Sequence, residues 1–159
     1  MSADRLAGAP AIRLSPEEHR RAAVDLFNFA WTLLDKQDRT ADEDDTMVHA
    51  AHASRFHWGQ VGTQVNLARG EWQVSRVYAV LGRAEPALWH ARRCLEHCRA
   101  AGIGDFDLAY AHEALARASL VAGDTAEAGE QLRLARAAGE RIAEVDDRRQ
   151  FFADLATVE

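Results

Sequence analysis

Apolar residues recur along the first part of the chain at the spacing of an amphipathic helix. The Ser-Pro-Glu-Glu run at 15–18 provides a serine cap, a proline at the first helical position and a glutamate three residues after the cap. The apolar positions that follow fall on one helical face: Ala23, Leu26, Phe27, Ala30, Leu33 and Leu34. The pattern therefore predicts a first helix that ends near Lys36.

Caps and glycines divide the rest of the chain into six further predicted helices. They run from Thr40 to about Gly59, from Thr63 to Leu81, from about Ala84 to Ala100, from Phe106 (capped by Asp105) to Ala122, from Asp124 to about Ala143, and from Asp146 through Leu155. No segment shows the alternation of β-branched residues that is typical of a strand. The pattern predicts an all-α chain with a flexible tail at 1–14 and a single domain at 15–159.

The predicted helices pair as three hairpins followed by a short capping helix, and an internal repeat supports this pairing. A shift of 41 residues carries Gly82 onto Gly123. In the same register other identical residues coincide: Leu67 with Leu108, Ala68 with Ala109, Arg76 with Arg117, Val80 with Val121, Ala87 with Ala128 and Arg92 with Arg133. One supersecondary unit therefore occurs twice in the chain.

This repeat resembles the tetratricopeptide repeat (TPR), whose first helix ends at a glycine and whose second helix has small residues at the helix crossing. The matching residues are Val74, Tyr78, Gly82, Ala87, Ala91 and Cys94 in one copy, and Leu115, Ala116, Gly123, Ala128 and Ala135 in the other. The resemblance covers roughly 63–143, with a period of 41 residues instead of the family's usual length of about 34. It implies stacked antiparallel helical hairpins, a TPR-like α-solenoid, whose first helices line a concave surface that binds proteins or peptides.

The charge of the chain argues against two classes of partner. Its 19 basic and 25 acidic residues give a net charge of −6 with histidines neutral, so there is no global attraction to nucleic acid or to an anionic membrane. The sequence contains no apolar run of about 18 residues and no signal-peptide pattern at its start. We therefore expect a cytoplasmic protein with no nucleic-acid or membrane partner. A protein or peptide partner is what the TPR resemblance implies.

Two sets of polar and aromatic residues repeat one spacing on the third and fifth predicted helices. They are Arg69, Trp72 and Arg76 on the third helix, and Tyr110, Glu113 and Arg117 on the fifth. The spacing i, i+3, i+7 places each set on one helical face, and the repeat register turns both faces to the concave side. Arginines beside an aromatic ring can clamp a carboxylate, so a peptide C-terminus or an acidic segment would suit this site. The alternative is that Arg76, Glu113 and Arg117 form ion pairs between helices while Trp72 fills the core.

Histidines and cysteines provide two weaker candidates, both for a metal ion. His49 and His52 lie three residues apart and could share a helical face, whereas His57 points elsewhere; the alternative is a hydrogen bond within a hairpin. The second candidate is a stripe of soft ligands on the fourth predicted helix: His90, Cys94, His97 and Cys98. The repeat register places Cys94 in the core, so the sequence predicts free thiols, no metal ion and no cofactor.

No nucleotide-binding loop or hydrolase motif occurs in the sequence, so no motif specifies the function. Three functional hypotheses are consistent with the pattern. The first is a non-enzymatic binding or scaffold module that recognises a protein or peptide segment on the concave face. The second is a small metal-dependent enzyme or metal sensor that uses His49 and His52. The third is a homo-oligomeric structural protein, such as a homodimer, in which a second copy covers the apolar face that three hairpins leave open.

Overall fold

Seven α-helices make up the part of the chain that the computed structural model describes, residues 12–158. They are α1 (Pro16–Leu34), α2 (Ala41–Val61), α3 (Gln64–Val80), α4 (Ala84–Ala100), α5 (Asp105–Val121), α6 (Thr125–Gly139) and α7 (Val145–Leu155). No strand occurs within these residues, and the predicted all-α class is confirmed. Most of the predicted N-terminal tail lies outside the described residues.

Capping boxes begin α1 and α2 where the sequence predicts them. The Glu18 backbone N–H donates to the Ser15 hydroxyl at 3.1 Å, and the Ser15 backbone N–H donates to the Glu18 carboxylate at 2.7 Å. Thr40 and Glu43 repeat this arrangement at 3.2 and 2.8 Å. Each box satisfies backbone donors that a helix start leaves unpaired, so local sequence alone determines these two boundaries.

Matching glycine turns end α3 and α5. Gly82 and Gly123 adopt left-handed backbone conformations, with φ of 70° and 77°. In each turn the N–H of the next residue donates to the carbonyl five positions before it, at 2.9 Å. A side chain would strain such a conformation, which explains why glycine stands at both positions. These two turns occupy equivalent positions in the 41-residue repeat, and the same turn at Gly102 also ends α4.

Two helix boundaries differ from the prediction. The sixth helix ends at Gly139 instead of near Ala143, because the chain turns there and buries Ile142 in a cluster with α7. The fifth helix has Gly104 at its cap, and Asp105 is its first residue with a positive φ of 54°. The Asp105 carboxylate accepts a hydrogen bond from the Ala143 backbone N–H at 3.2 Å. Asp105 therefore holds the chain that leads into α7 and does not cap α5.

The helices pack as three antiparallel hairpins: α1 with α2, α3 with α4, and α5 with α6. Contacts also join α1 to α3 and α3 to α5, so these three helices lie side by side. Fully buried alanines such as Ala30, Ala91 and Ala111 allow the helix backbones to approach closely. The short α7 packs against α5 and α6 through the buried side chains of Phe151 and Leu155. The predicted stack of hairpins with a C-terminal capping helix is confirmed.

We predict that Gly139→Ala weakens the docking of α7. A Cβ at this position would lie 2.6 Å from Cδ1 of the fully buried Phe151 ring, far inside van der Waals contact. Because either the ring or α7 must move, the free energy of unfolding should fall by about 1–3 kcal/mol, as measured by urea denaturation.

Gly129→Ala in the same helix is the matched control. A Cβ at Gly129 meets nothing within 4 Å, and alanine favours the helix, so this change should stabilise the protein by about 0.5–1 kcal/mol. If Gly139→Ala is tolerated as well as Gly129→Ala, the packing of α7 on α6 is not as described.

Candidate functional site

A groove lies between α1 and α7 on the face formed by α1, α3 and α5. It comprises two cavities of about 590 and 340 Å³. Both cavities are lined by the same five residues, which makes them one continuous depression: Trp31, Trp72, Tyr110, Gln150 and Asp154. We call this depression the α1–α7 groove; its other polar and aromatic lining residues are Phe27, Asp35, Arg69, Arg76, Phe106, Asp107 and Asp147. Its size is that of a typical ligand pocket.

An aromatic wall runs along the groove from α1 to α5. The ring centroids of Trp31 and Trp72 are 5.4 Å apart, as are those of Trp72 and Tyr110. Phe106 extends the row, with its ring centroid 4.6 Å from that of Tyr110. Trp31 and Trp72 are only partly buried, so part of each ring faces the groove. The wall therefore offers apolar area and π faces to a ligand.

Arg69 and Asp107 form an ion pair at the side of the groove. Arg69 donates through Nε and Nη2 to the two carboxylate oxygens, at 2.7 and 3.2 Å. The hydrogen bond to Asp107 raises the pKa of the Arg69 guanidinium, against the opposing effect of partial burial. The same guanidinium lies 6.0 Å from the ring centroid of Phe106. The fork of Arg69 is thus already occupied by a carboxylate of the chain itself.

The Glu113 carboxylate joins α3 to α5 behind the aromatic wall, and its side chain is only 1% exposed. It accepts hydrogen bonds from Trp72 Nε1 at 3.3 Å, from Arg76 Nη1 at 3.3 Å and from Arg117 Nε at 2.8 Å. Burial and the charge of Arg117 lower the pKa of Arg76, while the charge of Glu113 opposes them. Two guanidinium groups therefore share one buried carboxylate.

Asp154 connects α7 to α5. The Tyr110 hydroxyl donates to Asp154 Oδ2 at 2.5 Å, and Gln150 Nε2 donates to Asp154 Oδ1 at 3.1 Å. Burial and the hydrogen bond to Asp154 raise the pKa of Tyr110, so the phenol remains a donor. Arg117 Nη2 reaches the same end of α7 and donates to Thr157 Oγ1 at 2.8 Å. These contacts hold α7 in place as one wall of the groove.

The structure brings together the six residues that the sequence suggests for ligand binding. Arg69, Trp72, Arg76 and Tyr110 line the groove, and Glu113 and Arg117 lie behind it, bonded to Trp72 and Arg76 or to the end of α7. The ion pairs of the alternative interpretation are also present, one between α3 and α5 and one within α5. Trp72 packs against two buried core clusters, as that interpretation expects, and it also lines the groove. The use of these residues for binding stays a prediction.

The groove also contains residues of α1 and α7 that are not among the six predicted from the sequence. Trp31 lies four residues after Phe27, so helical spacing was a usable signal for this pair. For α7 the sequence indicates only a capping helix. Asp147, Gln150 and Asp154 have the same i, i+3, i+7 spacing as the two predicted sets, which places them on one face of α7. The sequence does not specify that this face meets the groove.

The histidines proposed as metal ligands do not converge on one point. His49 is exposed, and His52 Nε2 lies 2.8 Å from the Tyr78 hydroxyl. The ring centroid of His52 is 5.3 Å from that of His90, whose Nδ1 lies 2.6 Å from Glu71 Oε2. Burial and the charge of His90 lower the pKa of His52. Within residues 12–158, no group of three or more potential ligands could hold a metal ion.

On α4, the two cysteines of the predicted stripe are buried, whereas the two histidines contact side chains of other helices. Cys94 and Cys98 are buried free thiols, as the sequence predicts. His97 Nδ1 lies 2.7 Å from Gln64 Oε1, whereas His90 is held by the carboxylate of Glu71. In the described part of the chain these four side chains share no common site.

No protein-family model matches the chain, and neither a curated protein nor a solved structure shows a significant match to it. Among the described helices, none combines the length and apolar character that crossing a membrane requires. The groove itself is therefore the basis for a functional assignment.

We predict that Glu113→Gln is strongly destabilising. The substitution would leave Arg76 and Arg117 largely buried without their shared counter-charge, and the free energy of unfolding should fall by roughly 3 kcal/mol. Urea denaturation followed by circular dichroism measures this change.

Glu130→Gln provides the control, because Glu130 pairs with Arg133 on the exposed surface of α6. Such exposed pairs contribute little, so this substitution should leave the unfolding midpoint unchanged. Equal effects of the two substitutions would show that Glu113 does not organise the groove.

Proposed function

We propose that this protein is a non-enzymatic binding module that holds a segment of a partner protein or peptide in the α1–α7 groove. The observation that carries the proposal is the wall of Trp31, Trp72 and Tyr110 along a cavity of about 590 Å³. Aromatic side chains dominate the energetics of many protein interfaces, because they supply a large contact area with few rotatable bonds. A pair of partly exposed tryptophans beside a cavity is typical of a surface that a ligand covers.

The repeated architecture supports a relation to TPR-like helical repeats. The contact between Glu71 and His90 in one hairpin corresponds to the contact between His112 and Gln131 in the next, at 2.6 and 2.8 Å. In such stacks the first helices of the hairpins line the binding face, and here α1, α3 and α5 supply most of the groove. This analogy concerns architecture alone and does not specify a ligand.

The charge of the groove favours a protein partner over nucleic acid or an anionic membrane. Four aspartates and two arginines line it: Asp35, Asp107, Asp147, Asp154, Arg69 and Arg76. This excess of negative charge would repel phosphate groups. Two buried free thiols suit a reducing compartment, which supports the proposal that the protein acts in the cytoplasm.

The other two hypotheses have less support. A metal-dependent enzyme or metal sensor would need His49 and His52 to act together, but His49 is exposed and His52 is bound to Tyr78. A homo-oligomeric structural role stays a prediction. The exposed apolar side chains of Phe29 and Trp89 lie on different helices, α1 and α4.

We predict that selection of a displayed random heptapeptide library on the immobilised protein enriches peptides that need Trp31. These peptides should bind Trp31→Ala at least about tenfold more weakly, because truncating an aromatic hot-spot residue costs about 2 kcal/mol or more and about 1.4 kcal/mol already corresponds to tenfold. Trp89→Ala is the control, since Trp89 is 57% exposed and lies outside the groove.

Circular dichroism of both variants would establish that they remain folded. If no peptide is enriched, or if the enriched peptides bind Trp31→Ala as well as they bind Trp89→Ala, the groove is not a peptide-binding site.

A further inference from the structure

The carboxylates of the groove differ in whether a cation already neutralises them. Asp107 is paired with Arg69 through two hydrogen bonds. The Asp154 carboxylate accepts only from neutral donors among the described residues, the Tyr110 hydroxyl and the Gln150 amide. Asp35 and Asp147 are exposed at the groove, and within residues 12–158 neither forms a salt bridge. The charge of Asp147 acts on Arg69 and that of Asp154 acts on Arg76, but neither carboxylate is bonded to a guanidinium of the described residues. With four aspartates against two arginines in its lining, the groove keeps a net negative charge.

The arginines of the groove are poorly placed to receive an acidic ligand. Arg69 already holds Asp107, and Arg76 shares the buried Glu113 with Arg117. A ligand carboxylate would have to break one of these pairs and enter a site where aspartates outnumber arginines. Both steps cost free energy, so acidic segments are disfavoured.

We infer that the groove receives an arginine side chain of a partner peptide, flanked by apolar residues; this inference rests on the proposed function. The guanidinium would stack on the exposed faces of Trp31 and Trp72 and pair with Asp147 and Asp154. Its apolar neighbours would contact the aromatic wall. Arginine suits such a site better than lysine, because its planar group stacks on aromatic rings and binds carboxylates through two hydrogen bonds.

The protein itself contains an example of this recognition at the edge of the same groove. The Arg69 guanidinium lies 6.0 Å from the ring centroid of Phe106 while it donates two hydrogen bonds to Asp107. The neighbouring part of the groove also combines aromatic rings, those of Trp31 and Trp72, with a carboxylate, that of Asp154. Among the described residues, however, no guanidinium is bonded to the Asp154 carboxylate. A ligand arginine would complete the arrangement there.

Three capped heptapeptides test the inference. Each places one central residue between two leucines and two pairs of alanines, and the central residue is arginine, glutamine or glutamate. A dye at the N-terminus allows dissociation constants to be measured by fluorescence anisotropy. We expect the arginine peptide to bind about tenfold more tightly than the glutamine peptide, since stacking and an ion pair both contribute. The glutamate peptide should bind most weakly.

Paired charge-neutralising variants locate the effect. In Asp35→Asn/Asp147→Asn the preference for arginine over glutamine should fall to about threefold, because Asp147 is one of the two proposed partners of the guanidinium and Asp35 adds to the negative charge of the groove. The variant Asp25→Asn/Asp45→Asn removes the same charge from exposed positions outside the groove and should keep the full preference. This control separates local recognition from attraction by the net charge of the chain.

Other outcomes would overturn the inference. If the glutamate peptide binds as tightly as the arginine peptide, the groove has no site that prefers an arginine side chain, although it can still be a peptide-binding groove. If none of the three peptides binds although library selection yields Trp31-dependent peptides, the inference alone fails; if selection also yields none, the proposed function fails with it. If the free protein is a dimer that Trp31→Ala dissociates, a second copy occupies the groove and the inference is wrong.

Discussion

The Glu113 carboxylate lies where α3 meets α5 and holds two guanidinium groups that would otherwise be buried without a counter-charge. Removing these charges from water is costly, and the network compensates only when all of its hydrogen bonds are made. Trp72 donates to the same carboxylate, so the orientation of its indole ring depends on it. Arg117 continues from Glu113 to Thr157 and thereby ties the end of α7 to α5. The buried carboxylate of Glu113 thus orients Trp72 in the aromatic wall directly and, through Arg117, helps to hold α7, which forms the opposite wall.

This constraint also decides what the groove can offer to a ligand. Because Arg69 and Arg76 are already paired with carboxylates of the chain, the groups left available are the π faces of the tryptophans and several aspartates. Most of the side chains that carry these groups lie on helices, and α7 is held in place by the buried Phe151 and Leu155 and by hydrogen bonds. A preformed site of this kind loses little conformational entropy when it binds. Under the proposed function, recognition would therefore depend on the ion pairs within the groove as much as on its shape.

Much of this architecture could be predicted from the sequence. Local signals mark the helix boundaries: capping boxes at Ser15 and Thr40, and glycines at the ends of α3 and α5. The 41-residue repeat then relates Gly82 to Gly123 and Trp72 to Glu113. The groove face of α3 and α5 followed from helical spacing. The contribution of α7 did not, because its position depends on the end of α6 at Gly139 and on the contact between Gly139 and Phe151. The ion pair between Arg69 and Asp107 could not be predicted from the sequence either, because only tertiary packing brings these two residues together.

The indole N–H signals of the four tryptophans give the most direct test of the groove as a binding site. They can be assigned in a ¹⁵N–¹H spectrum by replacing each tryptophan in turn, and two of them, Trp31 and Trp72, line the groove, whereas Trp58 and Trp89 lie outside it. On titration with the arginine heptapeptide, the signals of Trp31 and Trp72 should shift along the same binding curve, with one dissociation constant. The signals of Trp58 and Trp89 should not shift. Larger shifts at Trp58 or Trp89, or saturable binding without a change at Trp31 and Trp72, would contradict this account.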